Sequence, residues 1–305
     1  MLEAYFNILG IDNIPLELNK YLNCPSLLRL KNVGYFCGMD YASRDIYDFP
    51  EYVSRYDHSL TVALIVWKLT GDLKATLAGL FHDISTPCFS HVIDYMNKDY
   101  DKQESTEEKI EEIIKQDNYL LDCLKNDSID INDIVDFKKH SIVDLDRPML
   151  CSDRLDGVIL TGMFWTKSIN IDDVRNIISS LTIEDNEYNK KEIGFLSGDV
   201  ASLVVKTSEI IDVYCHSKED NFMMELLAKI VRRAILLGLI SYDDLFILNE
   251  NDVFNIFDSS MDNELVNDLD LFRNIKMGQI TEINIPNIKV RDLNPLVLGN
   301  RFNNI

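Results

Sequence analysis

The sequence predicts a mainly α-helical protein that also contains a small β-hairpin and an extended C-terminal segment. Only 12 glycines and 7 prolines interrupt the 305 residues, so long helices can form. Apolar residues recur at helical spacing over much of the chain, whereas alternating strand patterns are few. We expect one helical core over residues 1–240, with residues 241–305 as a helical and extended appendage packed on it.

Two buried helices are predicted to follow one another in the first third of the chain. The first, Ser59 to Leu69, is almost entirely apolar, which is typical of a helix that is buried on all sides. Gly71 ends it, and Asp72 is suited to cap the second helix, which runs to His82. Because the connection is short, we expect the two helices to pack antiparallel.

Later segments complete the prediction. Residues 200–214 and 222–239 have the apolar content of two long core helices. The clearest strand signals are residues 181–183 and 192–195, which flank a polar turn and therefore predict a hairpin. The tail at 279–298 alternates apolar and polar residues around two prolines, and this favours an edge strand or an extended chain.

The chain is strongly acidic, with 51 acidic and 30 basic residues and a net charge of −21. Such a surface repels phosphate backbones, so nonspecific binding to nucleic acid or to an anionic membrane is not expected. A small phosphorylated ligand remains compatible with this charge, because a few basic groups can focus a positive field locally.

The cysteines and the N-terminus favour a cytoplasmic location. The six cysteines are scattered without CxxC spacing, which favours reduced thiols over a disulfide framework or a zinc knuckle. The N-terminus lacks the basic start and long apolar stretch of a signal peptide, and no apolar run is long enough to span a bilayer. We therefore expect no membrane partner.

A cluster of histidines suggests a metal site. Three of the five histidines lie between His58 and His91, and one of them is followed directly by Asp83. His82 and Asp83 end an apolar helix, and His58 can approach them if the two helices pack antiparallel. Imidazole and carboxylate ligands suit Mn, Fe, Ni, Co or Zn better than Ca. The alternative is that these are ordinary solvated or hydrogen-bonded side chains, since a His-Asp pair also occurs by chance.

Four segments occur in a characteristic order, namely Arg55-Tyr56-Asp57-His58-Ser59-Leu60, Leu80-Phe81-His82-Asp83-Ile84, Pro87-Cys88-Phe89-Ser90-His91 and Asp153-Arg154-Leu155-Asp156. They match the ordered pattern R-F-x-H-S-x-G, then H-D-x-G-H-x-P-F-S-H, then D-[KR]-x-D-Y. This pattern resembles that of the HD-domain phosphohydrolase superfamily, in particular its branch of deoxynucleoside triphosphate triphosphohydrolases. Residues 27–42, 213–216 and 291–295 resemble further family segments, so the resemblance covers roughly residues 20–300.

The resemblance implies an HD-domain helical bundle that holds one divalent transition metal through His58, His82, Asp83 and Asp153. It further implies that a metal-activated water, steered by Asp83, hydrolyses a phosphate ester or anhydride. The expected substrate is a nucleotide or a similar small phosphorylated molecule, which Mg²⁺ could accompany. A homo-oligomer is compatible with the resemblance, because related enzymes often assemble.

The resemblance also implies two catalytic groups beside the ligands. Arg55 lies on the same side as His58 if that stretch is helical, and it would contact phosphate. The alternative is a surface arginine that pairs with Asp45 or Asp48. His91 would donate to a phosphate oxygen or protonate the leaving group, and the alternative is a hydrogen bond to the backbone.

Three further residues are implied as substrate contacts. Arg154 matches a basic position that contacts phosphate in the family, although a salt bridge to Asp156 or Asp146 would explain it equally well. Tyr214 and His216 match the family's sugar and phosphate region, although a tyrosine in an apolar helix is often part of the core.

The departures from the family pattern bear on the substrate. Thr86 replaces a catalytic histidine, and Gln103 stands where a proton donor is proposed, although glutamine cannot transfer a proton at neutral pH. Thr161 replaces the aspartate that recognises the sugar hydroxyl, Gly157 replaces a tyrosine, and Ser217 replaces a basic residue. A nucleoside monophosphate or another phosphoester is therefore an open alternative to a triphosphate. The alternative function is a catalytically weak nucleotide-binding or regulatory module. An oxygenase with two irons would need more histidines near the site.

Overall fold

The computed structural model describes residues 1–101, 109–283 and 285–304, and within them the chain forms fifteen α-helices and four short strands. The helices are α1 (Leu2–Leu9), α2 (Leu16–Asn19), α3 (Pro25–Arg29), α4 (Arg55–Thr70), α5 (Leu73–Phe81), α6 (Val92–Asn97), α7 (Ile110–Gln116), α8 (Asn118–Asn126), α9 (Asn132–Val135), α10 (Ser152–Phe164), α11 (Ile171–Ser179), α12 (Gly198–Cys215), α13 (Lys218–Leu236), α14 (Glu250–Asp258) and α15 (Asn263–Asn274). The strands are β1 (Leu181–Asp185), β2 (Lys191–Phe195), β3 (Leu296–Val297) and β4 (Asn300–Arg301). The predicted mainly helical fold class is confirmed.

Helices α4 and α5 form the predicted antiparallel pair. Helix α4 begins at Arg55, earlier than predicted, because Ser54 and Asp57 form a capping box in which each caps the backbone N–H of the other. It ends at Gly71, whose φ of +62° is the left-handed conformation that favours glycine. Asp72 then caps α5 by accepting from Lys74 N at 2.9 Å. Because this connection is short and the helices are antiparallel, the end of α5 lies near the beginning of α4.

Helix α10 connects this pair to the long helix α12, which in turn contacts α13. Helix α10 packs against α4 and against α12, and α13 packs against α6 and α15. Helices α12 and α13 are the two long core helices predicted near residues 200–214 and 222–239, although α13 begins and ends a few residues earlier than expected. Because α10 lies beside α4, side chains from its first turn can meet those from the first turn of α4.

The four strands form one sheet in the order β1-β2-β3-β4. Strands β1 and β2 are the predicted antiparallel hairpin, with Leu181 opposite Phe195. The tail at 279–298 was predicted as an edge strand or extended chain. It ends in β3, which pairs in parallel with β2, and β4 lies beyond it at the edge of the sheet. Gly194 permits this approach, because a Cβ there would lie 3.0 Å from Leu296 O.

The region after residue 240 packs closely on the rest of the chain. Phe254, Phe257 and Phe272 belong to the same buried cluster as residues of α4, α5 and α10. The proposed division at residue 240 thus runs through a continuous core, and it stays a prediction. Among the described helices, none combines the length and the apolar content that a bilayer crossing requires.

Candidate metal centre

His82 presents one ring nitrogen that lacks a hydrogen-bond partner in the described part of the chain. It follows the last turn of α5, where its Nδ1 donates to Gly79 O at 2.7 Å. That hydrogen bond fixes the proton on Nδ1 and leaves a lone pair on Nε2. The Nε2 atom is buried and has no hydrogen-bond partner among the described residues. A buried polar atom without a partner is costly, and a bound cation would satisfy it.

His58 is oriented by a buried carboxylate. Its Nδ1 lies 2.7 Å from Asp156 Oδ2, and Asp156 is fully buried on α10. Its Nε2 lies 3.1 Å from Asp153 Oδ1. A carboxylate behind a histidine, with the other ring nitrogen facing a carboxylate, is an arrangement that prepares histidine to bind a metal.

The four side chains predicted as ligands converge in the structure. His82 Nε2 lies 3.4 Å from Asp153 Oδ1 and 3.8 Å from Asp83 Oδ1. The candidate ligand atoms of His58, His82 and Asp83 all lie within 4.8 Å of one another. Two imidazoles and two carboxylates are a suitable donor set for a divalent transition metal, so the residues present fit the predicted ion.

The charges around these ligands favour a cation. Burial opposes the protonation of His58, yet hydrogen bonds to Asp153 and Asp156 raise its pKa to about 10. Burial would raise the pKa of Asp83, but the charges of His82 and Arg55 lower it to about 2. Without an ion, a proton on His58 therefore balances part of the carboxylate charge, and a divalent cation can take its place.

Arg55 lines the cavity beside the candidate metal centre, and it orients the candidate ligand Asp83. Its Nη1 donates to Asp83 Oδ2 at 2.9 Å, and its Nε donates to Ser90 Oγ at 3.1 Å. Its guanidinium carbon lies 5.0 Å from the ring centroid of Tyr35. The alternative partners considered for it are engaged elsewhere, since Asp48 pairs with Lys167 at 3.0 Å and Asp45 accepts from Met277 N at 2.9 Å. Its contact with phosphate stays a prediction.

His91 also faces the cavity. It follows a turn in which Phe89 and Ser90 have φ values of +67° and +46°, a strained conformation for both residues. Its Nδ1 lies 2.8 Å from the buried Asp94 Oδ2, and 27% of its side chain is exposed. Burial lowers the pKa of His91 although Asp94 opposes this shift. The position suits the predicted proton or hydrogen-bond donor, and that role stays a prediction.

Arg154 lines the cavity but is bound mainly to backbone. Its Nη2 donates to Leu145 O at 2.7 Å, and its Nη1 donates to Met149 O. The carboxylate within 4 Å of it is Asp144, at 3.9 Å, and not the two partners considered from the sequence. Arg154 therefore holds the loop before α10 in place, and its contact with substrate stays a prediction.

The structure does not bring Tyr214 and His216 to the cavity, as far as the described residues define its wall. Tyr214 packs edge-on against Trp165 at a ring distance of 5.7 Å, and 41% of it is exposed. His216 Nδ1 lies 2.7 Å from Asp212 O. Trp165 lines the cavity, so Tyr214 contacts a residue of the cavity wall. The two substrate contacts stay predictions.

Of the positions that depart from the family pattern, some line the cavity and one lies outside its described wall. Thr86 is fully buried, and it is not part of the described cavity wall. Gly157 and Thr161 do line the cavity. A Cβ at Gly157 would lie 3.3 Å from the hydroxyl of Tyr35, so Tyr35 fills the space beside this glycine. Gln103 lies outside the described residues.

The ligands open into a cavity of about 640 Å³. Besides Arg55 and Arg154, the cationic residues in its wall are Lys138, Arg147, Lys289 and Arg291. Sequence reasoning assigned no role to Arg147, Lys289, Asp156 or Tyr35. A signal existed for Asp156, which follows Asp153 by three residues on one helix and therefore shares its face.

Parts of this chain are similar in sequence to known proteins. Residues 55–148 match the HD domain family. The uncharacterized protein YdhJ of Bacillus subtilis is 27% identical over 215 residues, which are 70% of this chain and 64% of that protein. The metal-dependent phosphohydrolase cns2 of Cordyceps militaris is 27% identical over 129 residues, or 42% of this chain and 36% of that protein. The chain thus spans less than two thirds of the length of these relatives.

A solved structure shares the fold. The crystal structure of a hypothetical protein from Aquifex aeolicus superposes with a TM-score of 0.61 at 19% identity, and the match covers 85% of this chain and 71% of that one. Residues 55–148 are thus similar to the HD domain family, and His58, His82 and Asp83 of the candidate centre lie within the matched segment.

Proposed function

We propose that this protein is a metal-dependent phosphohydrolase that cleaves a phosphate ester or anhydride of a small phosphorylated molecule. The observation that carries the proposal is the buried lone pair of His82 Nε2, which faces Asp83 and Asp153 without a hydrogen-bond partner among the described residues. A similar relative from Cordyceps militaris is described as a metal-dependent phosphohydrolase, which supports the same chemistry here.

Some of the residues would bind the ion, and others would contact the substrate. His58, His82, Asp83 and Asp153 would bind the ion, which supplies Lewis acidity towards a phosphoryl oxygen and towards water when it is bound. Arg55 keeps Asp83 oriented through its 2.9 Å hydrogen bond. The exposed part of His91 can donate a hydrogen bond to a phosphate oxygen or to the leaving group. The cations in the wall attract an anionic substrate into an otherwise acidic protein.

We further propose that the substrate is a nucleotide, which the resemblance to the triphosphohydrolase branch supports. The cavity of about 640 Å³ falls within the usual range for a small-molecule site, and Trp165 and Tyr35 offer aromatic surface in its wall. Thr86 is fully buried and lies outside the described cavity wall, so its hydroxyl is not placed to donate a proton to a substrate there. That observation favours a second candidate, a nucleotide-binding module with weak turnover.

One experiment separates these candidates. The protein is loaded with Mn, Fe, Co, Ni, Zn or Mg, and bound metal and phosphate release are measured with nucleotides and other phosphoesters. We expect about one ion per chain, with phosphate release that is lost in His82→Ala. His140→Ala is the matched control, because His140 Nε2 lies 2.9 Å from Asp133 O and His140 is outside the described cavity wall.

The possible outcomes assign the function. Metal binding and nucleotide binding without release under any ion would support the binding module. Metal binding and release that both survive in His82→Ala would refute the proposed centre.

A further inference from the structure

We propose that Glu250 is a positioning residue for the candidate site, because its carboxyl group fixes the two supports that hold the side chain of Arg55. These supports are Tyr35 and Ser90, which contact Arg55 from two different segments of the chain. The consequence for catalysis rests on the proposed function, whereas the effect of Glu250 on the position of Arg55 can be measured without turnover.

Arg55 is held from two sides. Its guanidinium carbon lies 5.0 Å from the ring centroid of Tyr35, and its Nε donates to Ser90 Oγ at 3.1 Å. With these contacts made, its Nη1 donates to Asp83 Oδ2 at 2.9 Å. The direction of the guanidinium, and with it the orientation of Asp83, therefore depends on where Tyr35 and Ser90 lie.

Glu250 contacts the residue before each support. Its Oε1 accepts from Phe89 N at 3.2 Å, and Phe89 directly precedes Ser90. Its Oε2 lies against Gly34, which directly precedes Tyr35, since a Cβ at Gly34 would lie only 3.0 Å from that oxygen. Glu250 itself is fully buried at the beginning of α14. One carboxyl group thus lies against the backbone beside both supports.

The backbone of both segments also acts electrostatically on Glu250. Burial and the charge of Asp40 raise the pKa of Glu250 to about 8, and the N–H groups of Phe89 and Gly34 oppose this rise. A backbone N–H favours a charged carboxylate when it points towards it. The two segments therefore face the same carboxyl group, which agrees with the contacts of its two oxygens.

The turn that contains Ser90 needs support from outside itself. Phe89 and Ser90 have φ values of +67° and +46°, a conformation that residues other than glycine keep only when the surrounding structure holds them there. His91 directly follows this turn and faces the cavity. The contact of Glu250 with Phe89 N thus bears on the position of His91 as well as on that of Arg55.

The neighbours of Glu250 support the same turn by other means. Cys88 N donates to Leu245 O at 2.7 Å, a contact between two backbone groups. The ring of Phe89 packs edge-on against that of Phe254 at 5.3 Å. These contacts should keep the turn attached to α14 when the carboxyl group is removed, so that a substitution of Glu250 loosens the turn without detaching it.

The test follows single protons by NMR in isotope-labelled, zinc-loaded protein. The exchange of the Phe89 amide and of Arg55 Nε–H with water is measured in the wild type, in Glu250→Met and in Glu250→Gln. Glutamine keeps the oxygen that accepts from Phe89 N, whereas methionine has a similar length and offers only a weak acceptor. The loss of a signal in Arg55→Met identifies the Nε–H.

Asp117→Leu is the matched control. Asp117 is a buried carboxylate that also joins two segments, because its Oδ1 accepts from Leu120 N and its Oδ2 accepts from Ser26 N, both at 3.0 Å. It lies outside the described cavity wall. Its loss should destabilise the fold but leave Arg55 in place, which separates positioning from general stability.

We expect Glu250→Met to accelerate the exchange of both protons on the order of tenfold or more relative to the amides of α12, and Glu250→Gln to stay within about twofold of the wild type. Phosphate release is measured in parallel. Its kcat should fall on the order of tenfold to a hundredfold in Glu250→Met, with KM changed by less than about twofold, because the alignment of Asp83 is lost. Glutamine should restore kcat.

Three outcomes would overturn the proposal. They are unchanged exchange in Glu250→Met, acceleration by the same factor at Arg55 in Asp117→Leu, and a Glu250→Gln variant that behaves like Glu250→Met. If Glu250→Met fails to fold, as judged by circular dichroism, Glu250→Asp replaces it, because the shorter side chain cannot contact both segments at once. The same expectations then apply to that variant.

These results are distinguishable from a failure of the hydrolase proposal. Selective acceleration at Phe89 and Arg55 in a protein that releases no phosphate from any substrate would support the positioning role and refute the hydrolase. Phosphate release that needs His82, combined with unchanged exchange in Glu250→Met, would do the reverse.

Discussion

The hydroxyl of Tyr5 donates a 2.5 Å hydrogen bond to Asp156 Oδ1, and the other oxygen of that carboxylate lies 2.7 Å from His58 Nδ1. Tyr5 and Asp156 are both fully buried. Helix α1 thereby helps to orient a candidate metal ligand that lies more than fifty residues away in the chain. The HD domain match at 55–148 contains neither Tyr5 nor Asp156, so the support for His58 comes from outside it.

Replacing Asp156 should weaken metal binding without removing a ligand. Asp156→Asn removes the negative charge behind His58, and changes of this kind typically cost about 10–100-fold in metal affinity. Tyr5→Phe should have a smaller effect in the same direction, because Asp156 keeps its charge. Competition with a chromogenic chelator measures both constants, and an unchanged affinity in Asp156→Asn would contradict this role.

Removing Arg55 should destabilise the metal-free protein more than the metal-loaded one. Arg55→Met leaves Asp83 buried without its cationic partner, and breaking a buried pair typically costs about 3–5 kcal/mol. A bound ion would neutralise Asp83 and reduce this loss. The free energy of unfolding is measured in urea with and without metal.

Arg273→Met is the matched control for that measurement. The Arg273–Asp258 pair has a similar distance of 2.6 Å, but its side chains are 35% and 47% exposed. Such a pair should contribute less than about 1 kcal/mol, independently of metal. Equal losses in the two variants would refute the importance of Arg55 for the centre.

The buried Glu250 should make stability fall as the pH rises. Burial, followed by the charge of Asp40, raises the pKa of Glu250 to about 8 from an unfolded value near 4.5. A carboxyl group whose pKa is raised in the folded protein keeps its stabilising effect below the unfolded pKa. That effect is lost as the pH rises through the folded value. We therefore expect the free energy of unfolding to decrease between about pH 4.5 and pH 8.

Glu250→Gln tests this expectation. Glu250 Oε1 accepts from Phe89 N at 3.2 Å, which glutamine can preserve. Glu250 Oε2 and Asp40 Oδ2 are buried without hydrogen-bond partners among the described residues, and each lies 3.0 Å from the position of a Cβ at Gly34. The glutamine amide can donate towards Asp40. Urea midpoints at pH 6 and pH 9 should show a stabilised variant at the higher pH, and a variant that is less stable than the wild type at pH 9 would contradict the account.

Arg301 should be essential for the sheet that carries the C-terminal segment. It forms two hydrogen bonds to Glu192, at 2.6 and 2.9 Å, and Glu192 is fully buried. Arg301→Met should cost about 3–5 kcal/mol, because it leaves a buried charge without its partner. The double variant with Glu192→Gln should recover part of this loss, since the neutral amide needs no cation. Thermal or urea unfolding of the three proteins measures the coupling, and a double variant no more stable than Arg301→Met would argue against it.

Local signals predicted most of the helical fold. Gly71 and Asp72 mark the turn between α4 and α5 by their own chemistry, so the antiparallel pair could be derived from the sequence. The beginning of α4 was missed because its first turn is polar and the apolar run starts only later. The four-stranded sheet was missed because the parallel pairing of Gly194 with Leu296 depends on two segments about a hundred residues apart.

The candidate site likewise contains residues that the sequence could identify and residues that it could not. His82 and Asp83 are adjacent in sequence, and the family pattern supplied His58 and Asp153, so the ligands could be proposed before the structure was known. Arg147 and Lys289 could not, because nothing in a single basic residue of a loop indicates which cavity it faces. Tyr214 and His216 illustrate the opposite case, in which the motif is present and the structure leaves both outside the described cavity wall.

The parallel pairing of β2 with β3 has a consequence for the order of folding. Contacts between residues close in sequence form quickly, whereas distant pairings must wait for the chain between them to be organised. Helices α4 and α5 are separated by one short turn, so His58, His82 and Asp83 can be gathered early. The segment with Lys289 and Arg291 is fixed by contacts with distant parts of the chain, among them the pairing of β3 with β2 and the hydrogen bonds of Arg291 to α12. During refolding, we therefore expect the capacity to bind a metal to return before the finished cavity does.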